Sequence, residues 1–238
     1  MLLPDRIAVV TAIHQETHNT RRFVLQVPEL EVFDFKPGQF VTLDLPIHEK
    51  KNKRLRSYSI ASAPNGTNTF ELLIVLLEGG LGTTYLFNEV KVGTELSFKG
   101  ALGHFTLPEP LPQDLFLVCT GTGIAPFHSM VHYLKANAIP HGNIYLIFGT
   151  RVQSDILYNQ VLSDLQNEMP NFKFIPVLSR EQWSGKMGYV HEVYKTLCAD
   201  KPNAQFMLCG WRAMIDEARS TLTALGYDKS AVHFELYG

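Results

Sequence analysis

The pattern of hydrophobic and polar residues changes near the middle of the chain. Before residue 112, short segments alternate apolar and polar residues and are separated by turns rich in proline and glycine. Alternation with a period of two is typical of strands that bury one face. The clearest cases are residues 6–14, 21–27 and 40–45. The first half therefore predicts an antiparallel β-barrel, interrupted by one helix at residues 83–89.

Beyond Leu115 the pattern consists of continuous apolar runs alternating with longer amphipathic segments. Runs that are apolar on both faces indicate buried parallel strands, and the segments between them indicate crossover helices. The predicted strands are residues 115–119, 144–148, 172–178, 205–209 and 232–236, and the predicted helices are residues 127–136, 155–167, 189–197 and 212–225. The second half therefore predicts a parallel-sheet, Rossmann-like α/β domain.

A stiff segment joins the two halves, since Pro108, Pro110 and Pro112 favour extended backbone. We therefore predict two domains, 1–108 and 109–238, in a β plus α/β fold class. The 238 residues are 45% hydrophobic and 18% charged, which is enough to build sizeable cores.

Composition excludes several classes of function. A net charge of -2 provides no basic surface for nucleic acid. No apolar run approaches the ~20 residues of a membrane-spanning helix. Pro4, Asp5 and Arg6 stand where a signal peptide would carry its apolar region, so Met1 to Arg6 does not indicate export and we expect a cytoplasmic protein.

No metal site is expected either. The three cysteines, Cys119, Cys198 and Cys209, are too widely spaced for a disulfide framework or a metal cage. His128 and His132 lie one helical turn apart, but Ser129 replaces the glutamate of a zinc-protease motif. We predict that these histidines are partly exposed helix residues.

A glycine-rich turn follows the first strand of the second half. Gly121, Thr122 and Gly123 precede Pro126, which suits the first position of a helix. Unsatisfied N–H groups at a helix N-terminus favour an anion, and a parallel sheet binds ligands at the carboxyl ends of its strands. The turn therefore predicts a pyrophosphate site, with a structural turn that binds no ligand as the alternative. Pro126 stands where the usual dinucleotide motif has its third glycine.

Several motifs in one order extend over nearly the whole chain. They are Pro37-Gly38-Gln39-Phe40, Arg56-Ser57-Tyr58-Ser59, Gly80-Leu81-Gly82-Thr83-Thr84-Tyr85-Leu86, the segment from Gly121 to Phe127, Cys209-Gly210 and Glu235-Leu236-Tyr237. In these motifs the chain resembles the ferredoxin–NADP reductase superfamily. The resemblance implies an FAD-binding barrel followed by an NAD(P)-binding domain.

For the flavin, the resemblance implies Arg56 on the diphosphate, Tyr58 against the isoalloxazine ring and Ser59 near its central nitrogen. It also implies that a helix N-terminus at Gly82, Thr83 and Thr84 binds the FAD phosphates. Taken singly, each residue has a structural alternative, such as a surface charge for Arg56 or simple packing for Tyr58.

For the nicotinamide, the resemblance implies that Cys209 lies beside the ring and that Tyr237 covers the flavin face that the nicotinamide must reach. Glu235 would orient Ser59 or relay a proton, with capping of backbone groups as the alternative. The predicted catalytic residues are therefore Ser59, Cys209, Glu235 and Tyr237.

The choice of coenzyme depends on positive charge near the adenosine ribose. Ser179-Arg180 resembles the pair that binds the 2′-phosphate of NADPH, with Arg151, Lys186 and Tyr189 as possible helpers. The Trp183-Ser184-Gly185 segment is similar to relatives that use NADH. NADPH is therefore the predicted coenzyme, and NADH remains possible.

A basic cluster precedes the flavin motif: Lys50, Lys51, Lys53 and Arg54. It would attract an acidic ferredoxin or flavodoxin, or it is simply a solvated loop. Val75 and Leu76 stand where many relatives carry basic residues, which argues against ferredoxin docking. We expect a monomer.

Together these features predict an FAD-dependent oxidoreductase that takes hydride from NADPH and passes electrons to a ferredoxin- or flavodoxin-like protein. The alternatives are a flavin reductase, the NADH-dependent reductase component of a multi-component oxygenase, and a non-catalytic subunit of a larger complex.

Overall fold

A computed structural model describes residues 5–237. Most of the N-terminal stretch used for the expectation about export, Met1 to Pro4, lies outside the described residues, as does Gly238. The chain divides into two compact units. The barrel unit comprises the residues up to Thr106 together with His128–Ala136, and the sheet unit comprises Leu107–Phe127 and the residues from Asn137 onward. The boundary at 108/109 stays a prediction. A single boundary there does not include the segment His128–Ala136, with which the chain returns to the barrel unit.

The barrel unit is built on one antiparallel six-stranded sheet with the strand order β4-β3-β6-β1-β2-β5. Its elements are β1 (Arg6–Thr17), β2 (Thr20–Gln26), β3 (Phe40–Asp44), β4 (Leu55–Ser59), β5 (Thr69–Val75), α1 (Leu81–Asn88) and β6 (Glu95–Leu102). A bridge between Ile60 and Leu72 links the two edges of the sheet. The predicted antiparallel barrel is therefore confirmed.

Phenylalanine rings fill the interior of the barrel. The Phe33 ring centroid lies 4.9 Å from that of Phe70 and 5.7 Å from that of Phe98. Alternate residues of β3, such as Val41 and Leu43, are completely buried, as the period-two pattern predicts. The core thus fixes which face of each strand is directed inward.

The sheet unit is an α/β domain whose strands are all parallel, in the order β10-β9-β8-β7-β11-β12. Its strands are β7 (Asp114–Thr120), β8 (Asn143–Thr150), β9 (Phe172–Leu178), β10 (Lys186–Met187), β11 (Ala204–Trp211) and β12 (Val232–Tyr237). The helices are α2 (Ala125–Ala136), α3 (Asn159–Glu168), α4 (Val190–Leu197) and α5 (Arg212–Ala224). The predicted parallel sheet is confirmed. Strand order reverses between β7 and β11, and such a switch point is where open sheets bind ligands.

One predicted helix is shorter than expected. The pattern predicts a helix over residues 155–167, but α3 begins at Asn159, after a 3-10 turn at Gln153–Asp155 and a left-handed Tyr158 with φ of 56°. Ile156 and Leu157 are buried, with 8% and 4% of their surface exposed. Burial of these two residues outside the helix outweighs their place in a helical pattern.

Candidate functional site

In the barrel unit, Arg56 and Tyr58 lie on the same face of β4. They pair in register with Leu43 and Val41 of β3, so all four side chains share one side of the sheet. Ser59 is directed to the other face and is buried. The Arg56 guanidinium donates from Nη1 to the carbonyl oxygens of Lys53 at 3.1 Å and Leu55 at 2.8 Å. These bonds hold the charge at a defined position on the strand.

The first turn of α1 lies against the Arg56 side chain. A Cβ atom added to Gly82 would come within 3.0 Å of Arg56 Cγ and 3.1 Å of Nε. A side chain at this position would therefore displace the Arg56 side chain from the helix end, and glycine leaves room for the close approach. A helix N-terminus and a guanidinium both favour anions, and a diphosphate offers oxygens to each. The residues present fit the diphosphate of FAD.

Thr83 and Thr84 differ in their surroundings. The Thr83 hydroxyl accepts the Leu77 N–H at 3.1 Å and lies 3.1 Å from the Gly80 carbonyl oxygen, to which it donates. It therefore fixes the turn that leads into α1. Thr84 is exposed, and its side chain is open to solvent.

Tyr58 presents an uncharged aromatic ring beside the arginine. The ring packs against the barrel core and is half-buried. Burial raises the pKa of its phenol to about 12, although the nearby Arg56 charge acts in the opposite direction. The side chain therefore remains neutral at any physiological pH and provides a flat, largely apolar surface.

The segment after Ser59 is held by helix α2. His128 Nδ1 donates to the Ala61 carbonyl oxygen at 2.7 Å, and the Ser129 hydroxyl donates to the Ser62 carbonyl oxygen at 2.6 Å. His128 is 9% exposed, so the prediction of a partly exposed residue is wrong for it. Burial, with a contribution from His132, lowers the pKa of His128 to about 3. This neutral histidine is therefore a structural anchor.

In the sheet unit, the predicted glycine turn lies at the switch point. A Cβ atom added to Gly123 would lie 2.4 Å from the Cys209 carbonyl oxygen, so the turn is packed directly on the end of β11. Gly121 has φ of 54°, and a Cβ atom there would meet no described atom within 4 Å. The turn is therefore packed against β11 at Gly123 and has free space beside Gly121. Thr122, between the two glycines, is half-exposed. Open space before a helix start fits a pyrophosphate.

The structure adds Thr120 to this group. Its Oγ1 atom is buried and has no hydrogen-bond partner among residues 5–237. Buried hydroxyl groups normally have a hydrogen-bond partner. At the switch point of a parallel sheet, the Thr120 hydroxyl therefore fits a site where a bound ligand supplies that partner. Its place directly before the glycine turn could have identified Thr120 as a site residue. A threonine at a strand end is also common where it has only a structural role, so the sequence did not single it out.

Cys209 and Glu235 are neighbours on β11 and β12, where they pair in register. Cys209 is completely buried, and burial raises the pKa of its thiol well above the usual value, although a hydrogen bond with Tyr237 acts in the opposite direction. The thiol is therefore neutral, and it suits packing better than nucleophilic attack.

Glu235 is the strongest candidate for proton exchange in this unit. Its Oε2 atom is buried and makes no hydrogen bond in the described part of the chain. Burial raises the pKa of the carboxyl group to about 7. Near neutral pH this side chain can therefore both hold and release a proton.

Ser179 and Arg180 lie beside the end of β8. The Ser179 N–H donates to the Thr150 carbonyl oxygen at 3.0 Å, and the Arg180 N–H donates to the Arg151 carbonyl oxygen at 3.0 Å. This backbone pairing brings two exposed arginines together, Arg151 and Arg180. Two guanidinium groups and the Ser179 hydroxyl form a suitable set for a phosphate monoester.

Tyr189 stands immediately before α4, with 69% of its surface exposed, and its neighbour Gly188 donates its N–H to the Leu178 carbonyl oxygen at 2.9 Å. The preceding loop is ordered by a hydrogen bond from Trp183 Nε1 to the Lys186 carbonyl oxygen at 2.7 Å. An exposed aromatic ring beside a phosphate site can stack on a base.

The basic cluster is partly neutralised within the barrel unit. Lys51 Nζ lies 3.8 Å from an Asp5 carboxylate oxygen, and Arg54 Nε lies 2.7 Å from Asp44 Oδ1. Among residues 5–237, Lys50 and Lys53 form no ion pair. The positive surface is therefore smaller than the sequence suggests.

Within each unit, the structure brings the predicted residues together. Arg56, Tyr58 and Gly82 form one group, and the glycine turn, Cys209 and Glu235 form another. Over the described residues, no cluster of three metal-ligating side chains occurs. The helices between residues 5 and 237 include none that is long and apolar enough to cross a membrane.

Comparison with known proteins identifies both units. A family model described as an oxidoreductase FAD-binding domain matches residues 7–107, and one described as an oxidoreductase NAD-binding domain matches residues 117–220. The chain is 35% identical over 217 residues to ferredoxin–NADP reductase B of Sorangium cellulosum, covering 87% of each chain. It is 31% identical over 233 residues to the glycine betaine monooxygenase reductase subunit of Pseudomonas aeruginosa, covering 94% of this chain and spanning only 62% of that relative.

Solved structures show the same fold. A ferredoxin NADP+ reductase from Neisseria gonorrhoeae with bound FAD and NADP aligns with a TM-score of 0.83 and 26% identity, and the alignment covers 98% of each chain. A cytochrome P450 reductase from Amycolatopsis aligns with a TM-score of 0.87 and 26% identity over 98% of this chain and 70% of that one.

Proposed function

Because the chain belongs to the ferredoxin–NADP reductase family, we propose that it transfers hydride from NADPH to bound FAD and passes the electrons to a ferredoxin- or flavodoxin-like protein. The observation that carries the flavin assignment is the contact between the Arg56 side chain and Gly82 at the start of α1. FAD, when bound, supplies the group that accepts two electrons together and releases them one at a time.

In the barrel unit, the protein's task is to bind and orient. Arg56 and the N–H groups at Gly82 and Thr83 hold the diphosphate by charge and hydrogen bonding. Tyr58 presents its neutral ring to the flavin. Ser59, the last residue of β4, has its side chain on the opposite face and would hydrogen-bond the flavin at the end of the strand. The clamp of His128 on Ala61 supports this role, since it fixes the backbone two residues after Ser59.

In the sheet unit, Gly121, Thr122 and Gly123 bind the coenzyme pyrophosphate. Cys209 is small, neutral and polarizable, so it packs against a nicotinamide without blocking it. Glu235 holds a proton near neutral pH and exchanges it with the reacting centre or with solvent. Tyr237 would shield the ring face until coenzyme arrives.

The decisive experiment is an anaerobic titration of the purified protein followed by visible absorption. We expect a yellow protein whose flavin band is bleached by NADPH. A colourless protein that reduces added flavin would favour the flavin reductase alternative. A yellow protein that neither NADPH nor NADH bleaches would contradict the proposal.

We propose that Ser179 and Arg180 select NADPH through its 2′-phosphate, with Arg151, Lys186 and Tyr189 as helpers. The backbone pairing that holds Arg180 next to Arg151 supports this choice. Arg180→Ala should raise the KM for NADPH about 10-fold and leave that for NADH nearly unchanged. Equal losses for the two coenzymes would remove the assignment.

A second candidate is the reductase component of an oxygenase. It is supported by the 31% identity to the glycine betaine monooxygenase reductase subunit and by the partial neutralisation of the basic cluster. Steady-state electron transfer to an added plant-type ferredoxin, compared at low and high salt, separates the two. Efficient transfer that weakens with salt supports the ferredoxin partner, and its absence supports an oxygenase component.

We further propose that residues 1–108 form the FAD-binding domain and residues 109–238 the NAD(P)-binding domain. A monomeric state and a cytoplasmic location also stay predictions. Light scattering during gel filtration would test the first, and fractionation of the source cells would test the second.

A further inference from the structure

A buried histidine joins helices α4 and α5 of the sheet unit. His191, the second residue of α4, is only 3% exposed. Its Nδ1 atom lies 2.7 Å from the hydroxyl oxygen of Tyr194 in the same helix, and its Nε2 atom lies 3.4 Å from Oε2 of Glu217 in α5. Tyr194 is also hydrogen-bonded to the side chain of Thr221, one turn beyond Glu217. These four side chains form a continuous polar connection, the α4–α5 network.

The hydrogen bonds of the network have a defined direction. Burial lowers the pKa of His191, although the Glu217 carboxylate acts in the opposite direction, so the imidazole is neutral near neutral pH. A carboxylate accepts hydrogen bonds but does not donate them, which places the single ring proton on Nε2, next to Glu217. Nδ1 then accepts the O–H of Tyr194, whose oxygen accepts the O–H of Thr221. The completely buried Tyr194 is thus held from both helices.

Helix α4 begins at the carboxyl end of β8. A Cβ atom added to Gly149 would lie 2.9 Å from Val190 Cγ1 and 3.1 Å from Thr120 Cγ2. Val190, the first residue of α4, is therefore packed at the switch point, close to the residue that precedes the glycine turn. Tyr189, a proposed helper at the adenosine end of the coenzyme, directly precedes Val190. A shift of α4 would consequently move Tyr189 relative to the turn.

Helix α5 begins at the other end of the proposed coenzyme site. Cys209, Gly210 and Trp211 are the last residues of β11, and α5 starts at Arg212. A Cβ atom added to Gly210 would lie 3.2 Å from Met214 Cε, so the first turn of α5 packs back against the end of the strand. The position of α5 is therefore linked to that of Cys209, where the nicotinamide is proposed to lie.

The α4–α5 network connects these two helix starts. The helices also share an apolar core, to which α4 contributes Val193 and α5 contributes Ile215. Apolar contacts are not directional, whereas hydrogen bonds require a defined distance and angle. The network therefore fixes the separation of the helices more closely than the core alone. A ligand that must reach both ends of a site binds best when that separation matches its length.

We propose that His191 is a positioning residue that sets the separation between the adenosine and nicotinamide ends of the coenzyme site. This inference rests on the proposed function, since it takes Tyr189 and Cys209 to mark those two ends. A dinucleotide that spans both ends depends on the network. A nucleotide that occupies the adenosine end alone does not.

The test compares two ligands by calorimetric titration of the oxidised holoenzyme. NADP+ spans both ends of the site, and adenosine 2′,5′-bisphosphate occupies only the adenosine end. We expect His191→Ala to weaken NADP+ binding about 10-fold and Glu217→Ala about 3-fold, because the first removes the whole connection and the second only its exposed end. The Kd for adenosine 2′,5′-bisphosphate should be unchanged in both variants.

Two further variants serve as controls. Glu217→Gln keeps an oxygen that accepts the N–H of His191 and should retain the affinity of the wild type for NADP+. Glu192→Ala removes another exposed carboxylate, which pairs with Lys195 within α4, and should change binding of neither ligand. The Glu217 side chain is 63% exposed, so its variants should unfold at the wild-type temperature. They keep the test decisive even where His191→Ala does not fold.

Unchanged NADP+ affinity in Glu217→Ala would overturn the inference. Equal losses for NADP+ and adenosine 2′,5′-bisphosphate would also overturn it, since they would show that the substitutions merely loosen α4. Wild-type protein that binds neither ligand would reject the proposed NADPH site itself. If the wild type binds both ligands and all variants match it, the coenzyme site stands and only the positioning role of His191 falls.

Discussion

The two units prepare for an anionic ligand in different ways. In the barrel unit, a guanidinium lies against a helix end, and hydrogen bonds to Lys53 and Leu55 carbonyl oxygens hold it there. In the sheet unit, the glycine turn offers backbone and open space, and it packs on the backbone of Cys209, whose thiol is uncharged. One site depends on charge, and the other depends on shape.

This contrast agrees with the proposed roles. A cofactor that stays through many turnovers gains from a charge-assisted anchor, whereas the pyrophosphate of a coenzyme that must leave after each turnover is better served by a preformed neutral turn. In the sheet unit, the arginines lie instead at the proposed 2′-phosphate site. Substitutions that remove a charge in one unit or fill space in the other therefore test whether the difference is real.

The largest effect is expected from Arg56→Ala. Loss of the charge-assisted hydrogen bonds should weaken FAD binding about 100-fold, and the purified protein should lose most of its visible absorbance per polypeptide. Arg54→Ala is the matched control, because Arg54 is paired with Asp44 and should not be needed for flavin. Full flavin retention in Arg56→Ala would show that charge does not anchor the cofactor.

The next effect is expected from Gly123→Ala, which directs a methyl group at the Cys209 carbonyl oxygen. Backbone must move, so we expect a loss of about 2–3 kcal/mol in the free energy of unfolding by urea, with weaker NADPH binding. Gly121→Ala meets open space among the described residues and should cost only about 1 kcal/mol, from its positive φ. Equal losses would mean that close packing of the turn is unimportant.

Cys209→Ala should leave flavin content unchanged and slow flavin reduction by NADPH about 10-fold in stopped-flow measurements, because the packing against the nicotinamide is reduced. Cys198→Ala is the control, since this cysteine is also buried but interacts with Tyr227. An unchanged reduction rate in Cys209→Ala would show that the nicotinamide is placed wrongly.

The smallest effect concerns Glu235 and pH. Its pKa is raised to about 7 in the folded protein, so between pH 4.5 and 7 the folded chain retains a proton that the unfolded chain has lost. Stability from this group therefore falls as pH rises through that window. Glu235→Gln should gain about 1 kcal/mol over the wild type at pH 8, after allowance for its partial exposure, and nothing at pH 4.

Glu192→Gln provides the control for that measurement. Glu192 is exposed and paired with Lys195 at 2.8 Å, so its loss should bring no gain at pH 8. If urea unfolding of Glu235→Gln shows the same difference from wild type at both pH values, the carboxylate is not titrating in this range.

Much of the fold could be predicted because the spacing of apolar residues along the chain reflects which side chains are buried. The alternation of residues 40–45 and the apolar runs such as 115–119 identified strands of the right type in the right units. The start of α3 could not be predicted, because the burial of Ile156 and Leu157 depends on tertiary contacts that a helical pattern does not reveal.

The candidate site divides in the same way. Arg56, the glycine turn and Cys209 stand in compact motifs, and the resemblance of those motifs to a known family is what allows the sequence to predict them as site residues. The hydrogen bond from His128 to Ala61 joins positions 67 residues apart. The ion pair of Lys51 with Asp5 joins the loop before β4 to the residue that precedes β1. Such long-range contacts leave no local pattern in the sequence.

Helix α2 matters for the design of chimeric proteins in this family. Its residues His128–Ala136 belong to the barrel unit, although they follow the first strand of the sheet unit in the chain. A fragment cut at residue 108 would leave the Ala61 and Ser62 carbonyl oxygens without His128 and Ser129 as donors. Chimeras that exchange flavin modules between reductases should therefore transfer this helix together with the barrel, as a graft in two pieces.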